Sequence, residues 1–358
     1  MRKFSKKLLL FSALALILEE SSLASAAAGL TEDDTRLRFL GRTLLDAATG
    51  SVTLDWTASG VEFSFNGTEV AADMVGTTAD PRNVAYLAVF VDDVHKNTFM
   101  VDNSPKKYIL CSGLPATKHL VRIVKVSEAQ LSSVKLTRIH LNGELLAKPA
   151  AKSRKIEFIG DSITCGYGNL GGATDPFSSK TEDGLQTWAT IAARNLEADC
   201  QLICASGHGV VRDCNRDTRA LIPPLYEKSN PFSDTNQLWD FSLFPADAVV
   251  INLGTNDWAG GAPEDEFIAG AVKFIKEVRK HNPNAKIIWA YGLMVKQYAE
   301  FIEKAVKEAQ ADDGKIYFVP MTLQNAVDGI GPQGHPSVKT HEKAGGEFAS
   351  VLKDIMGW

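Results

Sequence analysis

The hydrophobic periodicity of this chain changes once, near residue 150, and that change constrains the fold more than any single motif. From about residue 35 to 148 the apolar residues fall in short runs separated by polar and turn-forming residues. Arg38-Phe39-Leu40, 61–65, 86–91, 107–110, 119–126, 134–136 and 139–141 read as strands. Asn66-Gly67 and Asn142-Gly143 read as hairpin turns, since Asn-Gly suits the left-handed dihedrals of a tight turn. Many short strands with no helical pattern among them predict an antiparallel β-sandwich. From Ile156 onward, apolar strands at 156–159, 201–204, 248–253, 286–290 and 316–319 alternate with helical stretches. Phe267, Ala271, Phe274, Ile275 and Val278 recur at helical spacing, as do Phe301, Ile302, Ala305, Val306 and Ala309. A final helix is expected from about Val338 to Met356. This alternation predicts an α/β domain, a parallel sheet covered by helices on both faces. Pro149 and the small, basic stretch up to Lys155 read as a linker. The expected organisation is a sandwich over 27–148, a linker over 149–155 and an α/β domain over 156–358.

The first 26 residues read as a targeting segment. Arg2, Lys3, Lys6 and Lys7 precede an apolar run, 8–18, that is short for a membrane span, and Ala24-Ser25-Ala26 fits signal-peptidase cleavage. A secreted, extracellular location is the expectation, with no membrane attachment after cleavage. Removing four basic and two acidic residues takes the formal net charge from −5 to −7. A mildly acidic chain carries no electrostatic footprint for nucleic acid. At 45% apolar and 23% charged residues, the composition is that of a folded chain rather than a disordered one. The five cysteines, Cys111, Cys165, Cys200, Cys204 and Cys214, leave at least one unpaired and form no zinc pattern.

Ligands of parallel α/β sheets bind beyond the carboxyl ends of the strands, so the residues at those ends carry the functional signal. Ser162 follows the first strand in Gly160-Asp161-Ser162-Ile163-Thr164-Cys165-Gly166-Tyr167-Gly168. Gly207 follows the second in Ser206-Gly207-His208-Gly209, and Asn256 the third in Gly254-Thr255-Asn256-Asp257-Trp258. His335, in Gly334-His335-Pro336-Ser337, sits on a loop past the fifth, because Pro336 excludes it from a helix interior. Each residue alone has a plain reading: a helix cap, a turn glycine, an Asx turn, a structural histidine. Together they form an acyl-transfer site. Ser162 is the expected nucleophile and His335 its base. The Ser162 and Gly207 backbone N–H groups and the Asn256 amide are the expected oxyanion donors.

These blocks resemble the SGNH/GDSL hydrolase superfamily, and within it carbohydrate esterase family 2. Phe39-Leu40-Gly41-Arg42-Thr43 and 60–68 are similar to that family's N-terminal jelly roll. The resemblance implies a flavodoxin-like, three-layer α/β/α catalytic domain behind a jelly-roll sandwich. It also implies an acetyl xylan esterase-like enzyme that deacetylates O-acetylated plant-wall polysaccharides such as xylan and glucomannan. An aromatic that stacks on sugar is implied too; Trp258 is the candidate, Tyr167 a weaker one. One position departs from the pattern. The acid expected two or three residues before the histidine is absent, since Pro332 and Gln333 stand there. A Ser–His dyad is the expectation, with the imidazole oriented by the Gln333 side chain, a backbone carbonyl or Asp328.

Two other functions stay open at this stage: a lipase or general acyl-esterase on the same fold, and a carbohydrate-binding protein with a vestigial hydrolase domain. No cofactor or metal is expected. A Ser–His mechanism needs no Lewis acid, and no histidine shows a carboxylate- or cysteine-paired ligand spacing.

Overall fold

The computed structural model describes residues 26–29, 35–233 and 237–358. The segment read as a signal peptide lies outside the described residues, apart from Ala26. No helix among the described residues is long and apolar enough to cross a membrane.

The N-terminal strands are β1 (Ala26–Gly29), β2 (Arg38–Leu40), β3 (Thr43–Asp46), β4 (Ser51–Leu54) and β5 (Gly60–Thr77). They continue as β6 (Ala85–Val91), β7 (Val94–Val101), β8 (Lys106–Cys111), β9 (Thr117–Lys125) and β10 (Ser133–Leu145). All ten join one antiparallel sheet in the order β3-β4-β10-β5-β9-β6-β7, with β1 also on β10 and β2 and β8 also on β5. Alternate residues of these strands, among them Val61, Phe63, Phe65, Leu87, Val89, Val121 and Ile123, point into a single core.

Both Asn-Gly pairs were expected to turn, and neither does. Asn66 and Gly67 lie inside β5, Asn142 and Gly143 inside β10, and Gly67 faces Gly143 across the ladder. A Cβ on Gly67 would collide with the Asn142 carbonyl oxygen, and one on Gly143 with that of Asn66. The glycines serve close approach of two long strands at a bulge. A second register shift, between Leu136 and Arg138, explains why β10 reads as two strands in the sequence. β7 escaped notice because nearly all of its residues are exposed and no alternation marks it.

The C-terminal half holds β11 (Arg154–Gly160), β12 (Ala198–Cys204), β13 (Ala248–Asn252), β14 (Lys286–Tyr291) and β15 (Ile316–Pro320). β11 thus begins inside the stretch read as a linker. The sheet is fully parallel in the order β12-β11-β13-β14-β15, so the winding reverses between β11 and β13. Every residue of β13 is buried, as a strand covered on both faces requires.

The helices are α1 (Ser162–Cys165), α2 (Trp188–Asn195), α3 (Pro223–Tyr226), α4 (Thr255–Ala259), α5 (Glu264–His281), α6 (Ala299–Gln310) and α7 (Val338–Met356). α5 and α6 cover one face of the sheet and α2 and α7 the other. The first six residues of α2, Trp188 to Ala193, are all buried, and only Arg194 and Asn195 at its end are exposed, so little polar contrast marks it.

The two halves share their interior. Trp56 and Ala129 of the N-terminal half belong to the core under α5 and α6, and Ala58 and Val124 to the core under α2 and α7. Arg42, fully buried, reaches Glu157 of β11 at 3.0 Å, and the Tyr226 hydroxyl donates to the other oxygen of Glu157 at 2.7 Å.

The α2–α7 contact is close enough to forbid one side chain. A Cβ on Gly345 would stand 2.7 Å from the Ile191 Cβ and 2.9 Å from the Trp188 carbonyl oxygen, whereas one on Gly346 meets nothing within 4 Å. Gly346→Ala should stabilise the protein by about 0.5–1 kcal/mol through helix propensity. Gly345→Ala should destabilise it by about 1–3 kcal/mol through overpacking, despite the same propensity gain. Urea unfolding of both variants checks the opposite signs.

Candidate active site

Ser162 is presented by the turn between β11 and α1. Gly160 leaves room there: a Cβ would strike the Thr164 side chain. Asp161 caps α1, its Oδ1 accepting the Ile163 N–H at 3.0 Å, and Gly166 ends the helix at φ 89°. Ser162 thereby occupies the first helical position, where a backbone N–H has no partner within the helix.

His335 hangs on a loop closed at both ends. Ile330 and Pro336 form an antiparallel bridge, and the Gly331 N–H donates to the His335 carbonyl at 2.8 Å. Pro332 packs against Gly168 of the nucleophile loop, where a Cβ would come within 2.8 Å of the Pro332 Cδ. Ser337 then caps α7 by accepting the Thr340 N–H.

The two side chains meet. The His335 Nε2 lies 2.8 Å from the Ser162 Oγ. The His335 Nδ1 lies 3.0 Å from the Pro332 carbonyl oxygen. A carbonyl can only accept, so Nδ1 carries the proton and Nε2 offers a lone pair to the Ser162 hydroxyl. Burial holds the His335 pKa below the ordinary histidine value, while the Pro332 carbonyl pulls the other way. The imidazole is therefore neutral near pH 7.

The orienting group is the main chain of Pro332. Gln333 has φ 54° and an exposed side chain, and its oxygen does not hold the ring. Asp328 is engaged elsewhere: Lys343 at 2.6 Å, Lys339 at 3.1 Å and Asn325 at 2.9 Å hold its carboxylate, and its pKa is lowered to about 2, chiefly by Lys343. It ties the loop to α7.

Asn256 sits on α4, past the end of β13. Its amide nitrogen donates to the His208 carbonyl at 2.9 Å and lies 3.2 Å from the Asp161 Oδ2. Burial pushes the Asp161 carboxyl up to about 7, and the charge of Asp257 adds to this. Asp257 is anchored by the backbone N–H groups of Val210, Val211 and Arg212, which fixes the loop after Gly207. Gly207 itself has φ 79°. Among the described residues, neither the Ser162 N–H nor the Gly207 N–H donates to another protein group.

The aromatic candidates differ. Trp258 is 39% exposed on α4 and so is not packed between sheet and helix. Tyr167 is no open platform, for its ring stacks on Phe177 at 3.8 Å and lies 4.4 Å from the His335 ring. His341 is structural: its Nδ1 accepts the Trp188 N–H at the start of α2. All five cysteines are free thiols.

One ligand-like group escaped the sequence reading. Glu277 and His281, one turn apart on α5, face Glu227. The His281 Nε2 is 2.6 Å from Glu227 and 3.1 Å from Glu277, and Lys280 lies within 3.7 Å of both acids. These groups already pair with one another, and none belongs to the Ser162 site.

Two family models match the chain: carbohydrate esterase 2 N-terminal over residues 39–149, and the GDSL-like lipase/acylhydrolase family over residues 158–343. The chain is 33% identical over 314 residues to the cellulase/esterase CelE of Acetivibrio thermocellus, covering 85% of this chain and 38% of that protein. It thus spans well under half the length of that relative. It is 29% identical over 323 residues to an acetylxylan esterase / glucomannan deacetylase of Cellvibrio japonicus, covering 83% of this chain and 85% of that one. A solved family two carbohydrate esterase from Clostridium thermocellum, in complex with cellohexaose, matches with a TM-score of 0.84 at 32% identity, over 90% of this chain and 99% of that one. With both of its halves matched in order and a Ser–His pair at the carboxyl edge of its parallel sheet, this chain belongs to the carbohydrate esterase 2 family of GDSL-like hydrolases.

Proposed function

We propose that the chain is a secreted serine esterase that removes O-acetyl groups from plant-wall polysaccharides such as xylan and glucomannan. The observation that carries this reading is the 2.8 Å contact between the His335 Nε2 and the Ser162 Oγ, with the tautomer set by Pro332. The substrate class rests on the relatives, one of which is named an acetylxylan esterase / glucomannan deacetylase. Secretion rests on the N-terminal segment alone.

In this mechanism the Ser162 Oγ attacks the acetyl carbonyl carbon as His335 Nε2 takes its proton. The carbonyl oxygen becomes an oxyanion, held by the Ser162 N–H, the Gly207 N–H and the Asn256 amide. One Asn256 hydrogen stays on His208, and the other, in the longer contact to Asp161, is shared with the substrate oxygen. His335 returns the proton to the sugar hydroxyl, which leaves. Water, activated by the same imidazole, then releases acetate and restores Ser162. A neutral carbonyl behind the imidazole fixes its tautomer but stabilises the imidazolium less than a carboxylate does. Trp258, exposed beside Asn256, offers a flat face to a sugar ring.

The direct test is acetate release from acetylated xylan and glucomannan. Ser162→Ala should lower kcat on the order of 10⁴-fold or more. A variant that keeps its rate would exclude Ser162 as nucleophile.

The pH profile tests the base. His335 must be neutral to accept a proton, and its pKa is depressed. The acid limb of kcat/KM should have its midpoint below about 6.5. A midpoint near 7 would assign the limb to Asp161 instead.

Gln333→Ala tests the orienting group. Because a main-chain carbonyl holds the ring, kcat/KM should stay within about threefold of wild type. A loss on the order of 100-fold would return the role to the Gln333 side chain.

A further inference from the structure

We propose that Glu128 and Gln130, two residues of the N-terminal half, are positioning residues that aim the Gly207 N–H at the reacting oxygen. The inference rests on the esterase reading and adds to it a part for the sandwich. Both residues lie between β9 and β10, far in sequence from the site. Yet the Ser206 N–H donates to the Glu128 Oε2 at 2.8 Å, and the Gln130 Nε2 donates to the Ser206 carbonyl oxygen at 3.2 Å. The same Gln130 nitrogen lies 2.9 Å from the Glu128 Oε2. Both main-chain groups of Ser206 are thereby held from the other half of the molecule.

The Ser206 carbonyl and the Gly207 N–H share one peptide plane. In a trans peptide they point in opposite directions, so holding the oxygen sets the direction of the N–H. Gly207, at φ 79° and without a Cβ, has little stiffness of its own. The His208 Nδ1 also donates to the Ser206 oxygen, at 2.9 Å, from within the same loop. Gln130 holds that oxygen from the other half of the molecule.

The Glu128 Oε2 reaches the nucleophile turn as well, with the Cys165 thiol 3.6 Å away at the end of α1. One carboxylate oxygen thus touches the elements that carry the Ser162 and Gly207 donors. Glu128 is itself held: its N–H donates to the Glu182 Oε2 at 2.9 Å, and the Lys125 Nζ donates to its carbonyl at 3.0 Å. Glu128 is fully buried, and its Oε1 has no hydrogen-bond partner. A buried carboxylate with an unmatched oxygen costs stability. What it supplies here is the placement of two loops.

The test compares wild type, Gln130→Ala, Gln130→Met and Ser162→Ala on a soluble acetyl ester, with thermal melting alongside. Gln130 is half-buried, so both substitutions leave the core intact, and Gln130→Met keeps the length of the side chain while removing the donor without placing a second carboxyl beside Glu128. Each should lower kcat by about 10- to 100-fold through misplacement of one oxyanion donor, with KM within about twofold and melting unchanged. A kcat equal to wild type in both, or a rise in KM that accounts for the whole loss, overturns the inference and leaves the esterase reading intact. A wild type no faster than Ser162→Ala overturns the esterase reading, and the inference with it.

Discussion

The hydrogen bond from the His335 Nδ1–H to the Pro332 carbonyl is the contact on which the chemistry of this site depends. It spans three residues of the same loop and involves no charged group. It nevertheless decides which imidazole nitrogen bears the proton, and so which is free to meet Ser162. The loop can supply this carbonyl because it is closed by the Ile330–Pro336 bridge, packed on Gly168 and tied to α7 through Asp328. The acidic residue that might have oriented the ring is engaged in holding the loop that does so.

The parallel sheet makes this possible by bringing distant segments to one edge. β11 and β13 are neighbours in the middle of the sheet, and the chain leaves them on the same side. Asp161 and Asn256, which follow these strands, touch through their side chains. The second strand's loop joins them where the His208 carbonyl accepts from Asn256. The sandwich is part of the same construction. It lends Trp56 and Ala129 to one core, Arg42 to Glu157, and Glu128 to the loop before Gly207. The two halves do not form separate interiors joined by a tether.

Much of this was legible in the residues. The change of periodicity near residue 150 separated an antiparallel half from a parallel one, and the structure has both sheets. The last helix runs from Val338 to Met356, as expected from the sequence. Ser162 and His335 stood out because they fall past strand ends of the parallel sheet, at the edge where Gly207 and Asn256 also fall. The errors came where a local signal was outweighed by its surroundings. Asn-Gly favours a turn in isolation, but Gly67 and Gly143 answer to each other's backbones across a ladder. The first six residues of α2 are all buried, so little helical contrast marks it. The Glu277–His281 pairing needed Glu227, half a hundred positions upstream, to become visible.

What the sequence alone determined is local: which segments are strands or helices, and which reactive side chains stand at strand ends. Periodicity and turn chemistry act over a few residues, so they can be read without a fold. What only the tertiary structure decided is which atom faces which. The choice of Pro332 over Gln333 or Asp328 depends on how one loop closes. The engagement of Glu128 with Ser206 depends on the packing of two sheets. Contacts of that kind are set by the relative placement of segments tens to hundreds of residues apart, and no pattern along the chain encodes an interatomic distance.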